Sequence, residues 1–520
     1  MRSRLLTRRR LLQMVGGLAV LLGLGVAGLL YLHSREPGNV SNLGVEFHNP
    51  GKTTIPAAAP ASEGKGAFDW SVYGYDKSRT RYLPLAKPLR PPFADRWRIA
   101  GSVLLEFPPA MGAHSLFLLK NNAALYAIVR KNGVVRWKRK LGYLAASSPA
   151  YAHNTIYCVI LERGQGINEG RVVAVSAQDG HTRWSRKLPS RAESSPLISA
   201  GNLYFGSEDG WVYAMRASDG YIRWRTKAPG AVKGGLALAN GRLFFGDYSG
   251  HMQALRASDG HLLWRKGTNG GKFGLKSGNF YSTAAAAFGR VYIGNTDGFV
   301  YSYGQTNGAL AWRHKTGGFV YASPAVAQVP GAAPSVYIGS YDKTFYALDA
   351  RTGRVRWSRK TQGKISGGAT VLGDLVFYST LSKTTSAVDA RTGQLVWSTR
   401  RGAFNAVVSN GRGIFLVGLT NLFGLDGRPP RSGPGKALSR AQKRAIARRI
   451  HLRQRRLNQR VAARRRLVHQ RNLLRRRGVR FCYRSNGKFG CHRPAPIVCF
   501  TLHNGRTYCQ PRHNTPAHKP

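Results

Sequence analysis

Acidic residues are scarce in this chain. Its 520 residues hold 22 Asp and Glu against 80 Lys and Arg, a formal charge of +58, and no acid follows Asp426. Such an imbalance excludes a basic partner and points to an anionic one, while saying nothing of the fold. Cysteine is nearly as rare. Of five, only Cys158 lies before residue 479, so a disulfide framework is excluded for the body of the protein. No cysteine in the first 150 residues could carry a lipid anchor. Long apolar runs are limited to one, Leu11 to Leu32. Gly-rich phosphate loops, nucleophile elbows and metal-binding His pairs are missing, which removes the commonest nucleotide, acyl-transfer and zinc chemistries.

Tryptophan is what the chain repeats. Trp97, Trp137, Trp184, Trp224, Trp264, Trp312, Trp357 and Trp397 are spaced by 40, 47, 40, 40, 48, 45 and 40 residues. Seven of the eight end one phrase, in which a Gly turn precedes Trp by four positions: NGVVRW, DGHTRW, DGYIRW, DGHLLW, NGALAW, TGRVRW and TGQLVW. A period in the low forties with this signature is a repeat architecture. One clean copy, SPLISAGNLYFGSEDGWVYAMRASDGYIRW (195–224), reads as four short strands divided by turns. Asp-Gly pairs at 209–210, 219–220, 259–260 and 297–298 read as two-residue turns supplying positive φ. A four-stranded unit cannot bury both faces alone; radial packing of neighbours solves this and gives a β-propeller. The long intervals come from insertions: ERGQGINEG, TNGGKFGLKSGN and VPGAAPS. After Trp397 the chain holds three strands without a Trp strand, and ADRWRIAG near residue 97 is a Trp strand without its other three. Joining the fragments gives eight blades; if they do not pair, the count is seven.

The phrase YALDARTGRVRW and its copies resemble the repeat of pyrroloquinoline quinone (PQQ)-type propellers. That family includes quinoprotein alcohol dehydrogenases and the propeller lipoprotein of the outer-membrane assembly machinery. WSVYGYDKSRTRY (70–82) resembles the segment that precedes such rings. The resemblance covers roughly 68–427 and implies that each repeat Trp packs between adjacent blades. Fold does not carry activity with it. Dehydrogenases of this family hold PQQ and calcium with adjacent cysteines, a Glu/Asn/Asp cluster and a catalytic Asp. Here the cysteine pair is absent. Asp179, Asp209, Asp219, Asp259, Asp297, Asp349, Asp389 and Asp426 fall in turns, and Glu106, Glu162, Glu169, Glu193, Glu208 and Asp247 form no recognisable motif. No catalytic, cofactor-binding or metal-binding residue is therefore assigned.

Arg2, Arg4, Arg8, Arg9 and Arg10 precede the 22 uncharged residues Leu11–Leu32. As a helix these reach about 33 Å, enough to cross a bilayer core of about 30 Å. The basic flank stays cytoplasmic, so a single-pass anchor places the remainder outside. Thr7-Arg8-Arg9-Arg10-Leu11-Leu12 also resembles a twin-arginine export signal. No small-x-small cleavage site follows in GLLYLHSREPG, which favours an uncleaved anchor. Residues 36–67 read as a flexible Pro/Gly/Ala/Ser spacer.

Beyond Asp426 stand 26 Lys and Arg. Ser439 to Arg477 reads as one helix, with a capping box from Ser439 to Gln442 and Gly478 at the C-cap. Ile446, Ile450, Leu457, Val461 and Val468 form an irregular apolar stripe; Arg448, Arg449, Arg455, Arg456, Arg464, Arg465 and Arg466 are the candidate anion-binding residues. With no acid for i,i+4 pairing, like charges weaken the helix in isolation. Outside the membrane the matching polyanions are anionic lipid and cell-wall polymers, which disfavours nucleic acid. VRFCYRSNGKFGCHR and IVCFTLHNGRTYCQPR read as two β-hairpins. Cys482 faces Cys491 across the first, whereas Cys499 and Cys509 are offset by one residue in the second. These four are disulfide candidates with three connectivities; zinc with His492 or His503 competes, but the spacings are not those of zinc knuckles. Cys158 reads as a buried small hydrophobe.

The expected architecture is all-β, an eight-bladed propeller with an N-terminal transmembrane helix and a C-terminal basic helix plus a small disulfide-stapled hairpin module. Its segments are 1–35 (basic segment and anchor), 36–67 (linker), 68–427 (propeller), 428–478 (Arg-rich helix) and 479–520 (double hairpin and tail). The expected role is a non-catalytic envelope scaffold at the cell membrane, with a protein partner at the propeller and an anionic surface at the tail. The alternative is a PQQ- and calcium-dependent oxidoreductase. For the tail, a peptide spanning 439–477 should gain helical circular dichroism on anionic vesicles and lose it again in high salt. An unchanged spectrum on vesicles would reject the amphipathic reading.

Overall fold

The computed structural model describes Leu22 and Gly23, residues 38–49, 70–85, 88–112, 114–162, 169–268 and 278–427, and the strands 481–485, 488–492, 497–501 and 507–511. Two compact units divide the chain, Met1–Pro430 and Arg431–Pro520. Among the described residues no helix is long and apolar enough to cross a membrane. Nearly all of the expected Leu11–Leu32 span, and the whole expected 439–477 helix with the seven candidate anion-binding arginines, lie outside the described residues.

Seven blades are continuous in sequence, each an antiparallel sheet of four strands, here A to D from the axis outward. They occupy 110–140, 150–188, 197–227, 237–267, 285–315, 325–360 and 370–399. The eighth takes strands A to C from Val408–Ser409, Gly413–Gly418 and Asn421–Gly427, and its D strand from Phe93–Ile99. That pairing runs from Phe93↔Gly427 to Ile99↔Leu422. The two ends of the ring are thus zipped together, and the count is eight. B and C strands are buried almost throughout, as in Thr155–Leu161, whereas D strands present Arg and Lys to solvent, as in Val135–Lys140. Charged side chains on an exposed outer strand guard it against pairing with another chain.

Each Trp of the repeat sits on a D strand and reaches the next blade. Six indole N–H groups donate to a backbone carbonyl there: Trp137 to Ala177, Trp184 to Ala217, Trp224 to Ala257, Trp264 to Gln305, Trp312 to Ala350 and Trp357 to Ala390, at 2.9–3.2 Å. Trp97, brought in from the far end of the ring, does the same to Arg130 of the first blade at 2.9 Å. At the seam Trp397 meets Phe93 edge-on, with ring centroids 5.1 Å apart.

The glycine of each phrase is the floor for the indole of the blade before it. Gly180 lies under Trp137, Gly220 under Trp184, Gly260 under Trp224, Gly308 under Trp264, Gly353 under Trp312, Gly393 under Trp357 and Gly133 under Trp97. A Cβ at any of them would come within 2.5–2.8 Å of the ring, and all seven have φ near +70 to +77. The residue opening each phrase caps the turn: Asp179, Asp219 and Asp259 accept the N–H two positions on, as do Asn132, Asn307, Thr352 and Thr392. These loops are longer than the expected two-residue turns. Strand C of the third blade ends at Arg216 and strand D starts at Ile222, because the side-chain cap and the left-handed glycine build a wider turn. The residue facing each Trp across the sheet is small: Ala127, Ala174, Ala214, Ala254, Ser302, Ala347, Ala387 or Gly424.

Part of the expected spacer is folded. Val40–Ser41 adds a fifth strand outside the fifth blade, with Val40 opposite Arg313 and Ser41 opposite Trp312. Two strand residues among Pro, Gly and Ala give no periodic signal, so composition alone reads as linker. In the second unit the hairpins Phe481–Ser485/Lys488–His492 and Ile497–Thr501/Thr507–Pro511 place Cys482 opposite Cys491 and Cys499 opposite Cys509. The expected one-residue offset is absent because residues 502–506 connect the second pair, not an Asn-Gly dipeptide alone. Bridging of these cysteines lies outside the described side chains.

Gly353→Ala and Gly201→Ala separate the two roles of glycine. Both have φ just above +70, but a Cβ at Gly201 meets nothing within 4 Å, whereas at Gly353 it meets Trp312 at 2.7 Å. Gly201→Ala should cost about 1–2 kcal/mol from backbone conformation, and Gly353→Ala roughly 1–3 kcal/mol more from overpacking. Urea unfolding midpoints measure the difference; equal losses would contradict the indole contact.

Candidate functional site

The inner A strand of every blade would leave unpaired backbone groups facing the axis, and these need partners. Residues 70–85 supply them. N–H groups of Met111, Tyr151, Leu238, Ala286, Val326, Val371 and Gly373 donate in turn to the carbonyls of Trp70, Ser71, Lys77, Ser78, Thr80, Arg81 and Leu83, at 2.7–2.9 Å. Those donors belong to the first, second, fourth, fifth, sixth and seventh blades. Arg79 serves the third: its fully buried guanidinium donates to Ser195, Pro196, Leu236 and Tyr73 carbonyls. Tyr73 Oη donates to Asn405 Oδ1 at 2.9 Å, beside the eighth blade. Close turns through Tyr75, Arg79 and Arg81, with φ of 78°, 59° and 55°, coil this segment tightly enough to fit. Its resemblance to a pre-ring segment was legible in sequence. That it plugs the bore was not, since the hydrogen bonds come from residues spread over 260 positions.

On the plug stands a cup of about 260 Å³, lined by Tyr73, Glu106, Glu193, Lys233, Tyr281, Tyr321, Tyr341 and Asn405, among others. The loops leading into the A strands deliver Glu106, Glu193, Lys233, Tyr281, Tyr321 and Asn405, the B–C turn of the sixth blade delivers Tyr341, and the plug delivers Tyr73. Lys233 Nζ lies 3.3 Å from Glu193 and 3.2 Å from Glu208, with both carboxylates about a fifth exposed. Burial, then the neighbouring Glu208, pushes the Glu193 pKa up against the pull of Lys233. Glu106 accepts from Asn121 at 3.2 Å. Tyr248, Tyr281, Tyr321 and Tyr341 form an arc with successive centroids 6.2, 5.8 and 4.8 Å apart, and half-exposed Phe319 packs at 6.0 Å from Tyr321. Lys233 and Lys364 lie over the Tyr248 and Tyr341 rings. Burial, with Glu193 and Glu106 nearby, drives the Tyr281 hydroxyl pKa strongly upward. Glu106, Glu193 and Glu208, isolated in sequence, thus meet at one site.

A calcium ion with a quinone needs several converging oxygen donors, including carboxylates. Here the gap between the two nearest carboxylates is filled by the Lys233 ammonium. Asn405 is engaged by Tyr73, by Gly368 N–H and by the Glu106 carbonyl. Among the described residues no three His, Cys, Asp or Glu side chains are grouped so as to hold a metal ion. Cys158 is buried in the second blade, its thiol pKa raised by burial. The residues present do not fit that pair. Asp247 and Glu162, also open in the sequence, serve structure: Asp247 accepts from Ser249, His251 and Gln253, and Glu162 pairs with Arg171.

A family model described as outer membrane protein assembly factor BamB matches residues 94–186, 168–319 and 296–514. Among solved structures, the fold is similar to quinohemoprotein alcohol dehydrogenase ADHIIG from Pseudomonas putida HK5. That match has 14% identity and TM-score 0.58, covering 72% of this chain and 84% of that one. BamB from Moraxella catarrhalis matches at 15% identity and TM-score 0.50, covering 64% and 99%. The quinohemoprotein alcohol dehydrogenase from Comamonas testosteroni matches at 14% and 0.56, covering 72% and 83%. At such identities the likeness shows the fold alone. No curated protein matches.

The raised Glu193 pKa has a pH consequence. The folded state holds this proton more tightly than the unfolded chain, so the group's contribution is fullest below its ordinary value of 4.5 and is lost as pH rises through the folded value. Glu193→Gln should therefore gain stability relative to the native chain as pH rises from 4.5 toward neutrality. Parallel stability–pH curves for the two proteins would contradict the assignment.

Proposed function

Because the chain belongs to the family described as outer membrane protein assembly factor BamB, we propose that it is a non-catalytic binding scaffold of the cell envelope. In this reading Leu11–Leu32 anchors the chain in the membrane and the propeller stands outside the cytoplasm. A protein partner docks at the aromatic rim of the cup. The Arg-rich tail contacts an anionic lipid or cell-wall surface.

The observation that carries the reading is Lys233 between Glu193 and Glu208, above a bore filled by the chain's own residues 70–85. A fixed ammonium between two acids neutralises charge in a partly buried place and supplies no open coordination position. Tyr281, Tyr321, Tyr341 and exposed Phe319 offer rigid rings with polar edges, the residue types that dominate protein contact surfaces. The likeness to quinohemoprotein dehydrogenases keeps the oxidoreductase reading as the one to beat.

Purified chain incubated with PQQ and calcium, then assayed for dye reduction over alcohols and sugars, should stay inactive and show no bound-quinone absorbance. Activity that disappears on calcium removal would overturn the scaffold reading.

A further inference from the structure

The fifth blade differs from the others at its outer edge. Elsewhere the D strand is largely open to solvent; here Leu310–Lys315 is covered and Trp312 is fully buried. The cover is residues 38–49. Asn42 N–H donates to Ala311 at 2.6 Å, Lys315 N–H to Asn39 Oδ1 at 2.7 Å, and His48 N–H to Phe288 at 2.9 Å. Arg290, wholly buried, holds the Val45 and Glu46 carbonyls at 2.8 and 2.7 Å. Glu46 in turn accepts from the N–H and hydroxyl of Thr306, both at 2.7 Å. The strap is built into the blade.

Beside it, between the fourth and fifth blades, lies a groove of about 300 Å³ lined by Lys266, Gly267, Tyr301, Tyr303, Leu310 and Arg313 with the 308–309 turn. Tyr301 spends its hydroxyl on Asp297 at 2.6 Å. Tyr303, stacked on Tyr301 and only 2% exposed, has a buried hydroxyl with no partner among the described residues. An orphaned buried donor is costly and calls for an acceptor. Arg313 uses its Nε on the Gly38 carbonyl at 2.8 Å, so the groove and the start of the strap are adjacent. Lys266 is exposed at its rim.

We propose that this groove receives the phosphate of an anionic phospholipid headgroup, through Lys266, Arg313 and the Tyr303 hydroxyl, and so holds the propeller edge-on against the membrane. The inference rests on the anchor reading above. Five residues separate Leu32 from Gly38, and a chain of that length spans at most about 20 Å fully extended. The edge of the fifth blade is therefore kept near the headgroups while the first blade stands across the ring from it. Bidentate guanidinium and point-charge ammonium are the usual pair for phosphate oxygens. The axis then lies along the membrane, leaving the cup open sideways to a protein partner.

The test uses the full chain in phosphatidylcholine nanodiscs containing phosphatidylglycerol with a nitroxide headgroup. Fluorescent unnatural amino acids replace Lys315 beside the strap on the fifth blade or Lys140 on the first blade. The expected result is quenching at 315 and none at 140. Tyr303→Phe, which removes only the hydroxyl, and Lys266→Gln should each weaken the quenching isotherm at 315 by about tenfold, the loss of one hydrogen bond to a charged group. Equal quenching at both positions, or isotherms unchanged in both variants, overturns the groove assignment. Displacement by inorganic phosphate at the same concentration assigns the site to free phosphate and overturns the lipid. Release of the chain from discs by alkaline carbonate would instead defeat the anchor, a failure separable from the others.

Discussion

An indole laid on a glycine of the next blade is the contact on which the ring depends. It joins a large apolar plane to a turn that only glycine fits, twice over: φ is positive, and a Cβ would enter the ring. The indole N–H then ties down the carbonyl beside that turn. Because the glycine belongs to the phrase that ends in the next Trp, each blade is at once receiver and donor. A repeat of this kind gains most of its stability from neighbours, so an open array would leave one receiver and one donor unfilled. The closing strand Phe93–Ile99 meets both needs, carrying Trp97 to the first blade and Phe93 to Trp397.

Charge is sorted by the same geometry. Bases sit on the D strands, at Arg136, Lys138 and Lys140 or Arg183 and Lys187, where solvent is free and edge pairing must be discouraged. Three acids come together at the cup, Glu106 with Glu193 and Glu208, the last two held by Lys233. Two Arg are buried in the plug, Arg79 and Arg81; Arg79 lies among carbonyls of its own segment and the third and fourth blades. The plug thus converts a channel into a blind cup. The strap on the fifth blade then marks one edge as different from the other seven.

What could be read in the sequence followed from repetition. Eight Trp at near-constant spacing gave the blades, and the unmatched pieces at residues 97 and 427 gave the closure. Contacts that occur once in the molecule carried no such signal. Glu106, Glu193 and Glu208 look unrelated because two inter-blade loops and the B–C turn of the third blade bring them together. Val40–Ser41 reads as spacer since its pairing partners, Arg313 and Trp312, are 273 and 271 positions away and its composition is that of a linker. The turns were mistaken in length for a local reason: Asp, Asn and Thr side chains accept a backbone N–H and widen the loop. The expected offset of Cys499 and Cys509 has the same origin, since it takes Asn-Gly alone as the turn, whereas the two residues lie directly opposite.

The seam is where this account is most exposed, since the ring is eightfold only if two segments more than 320 residues apart stay paired. Amide hydrogen exchange on strands Phe93–Ile99 and Asn421–Gly427 measures it directly. The account predicts protection there equal to that of an uninterrupted outer pair such as Trp211–Arg216 with Ile222–Lys227. Exchange at both seam strands approaching that of unstructured chain, with the third blade still protected, would contradict it.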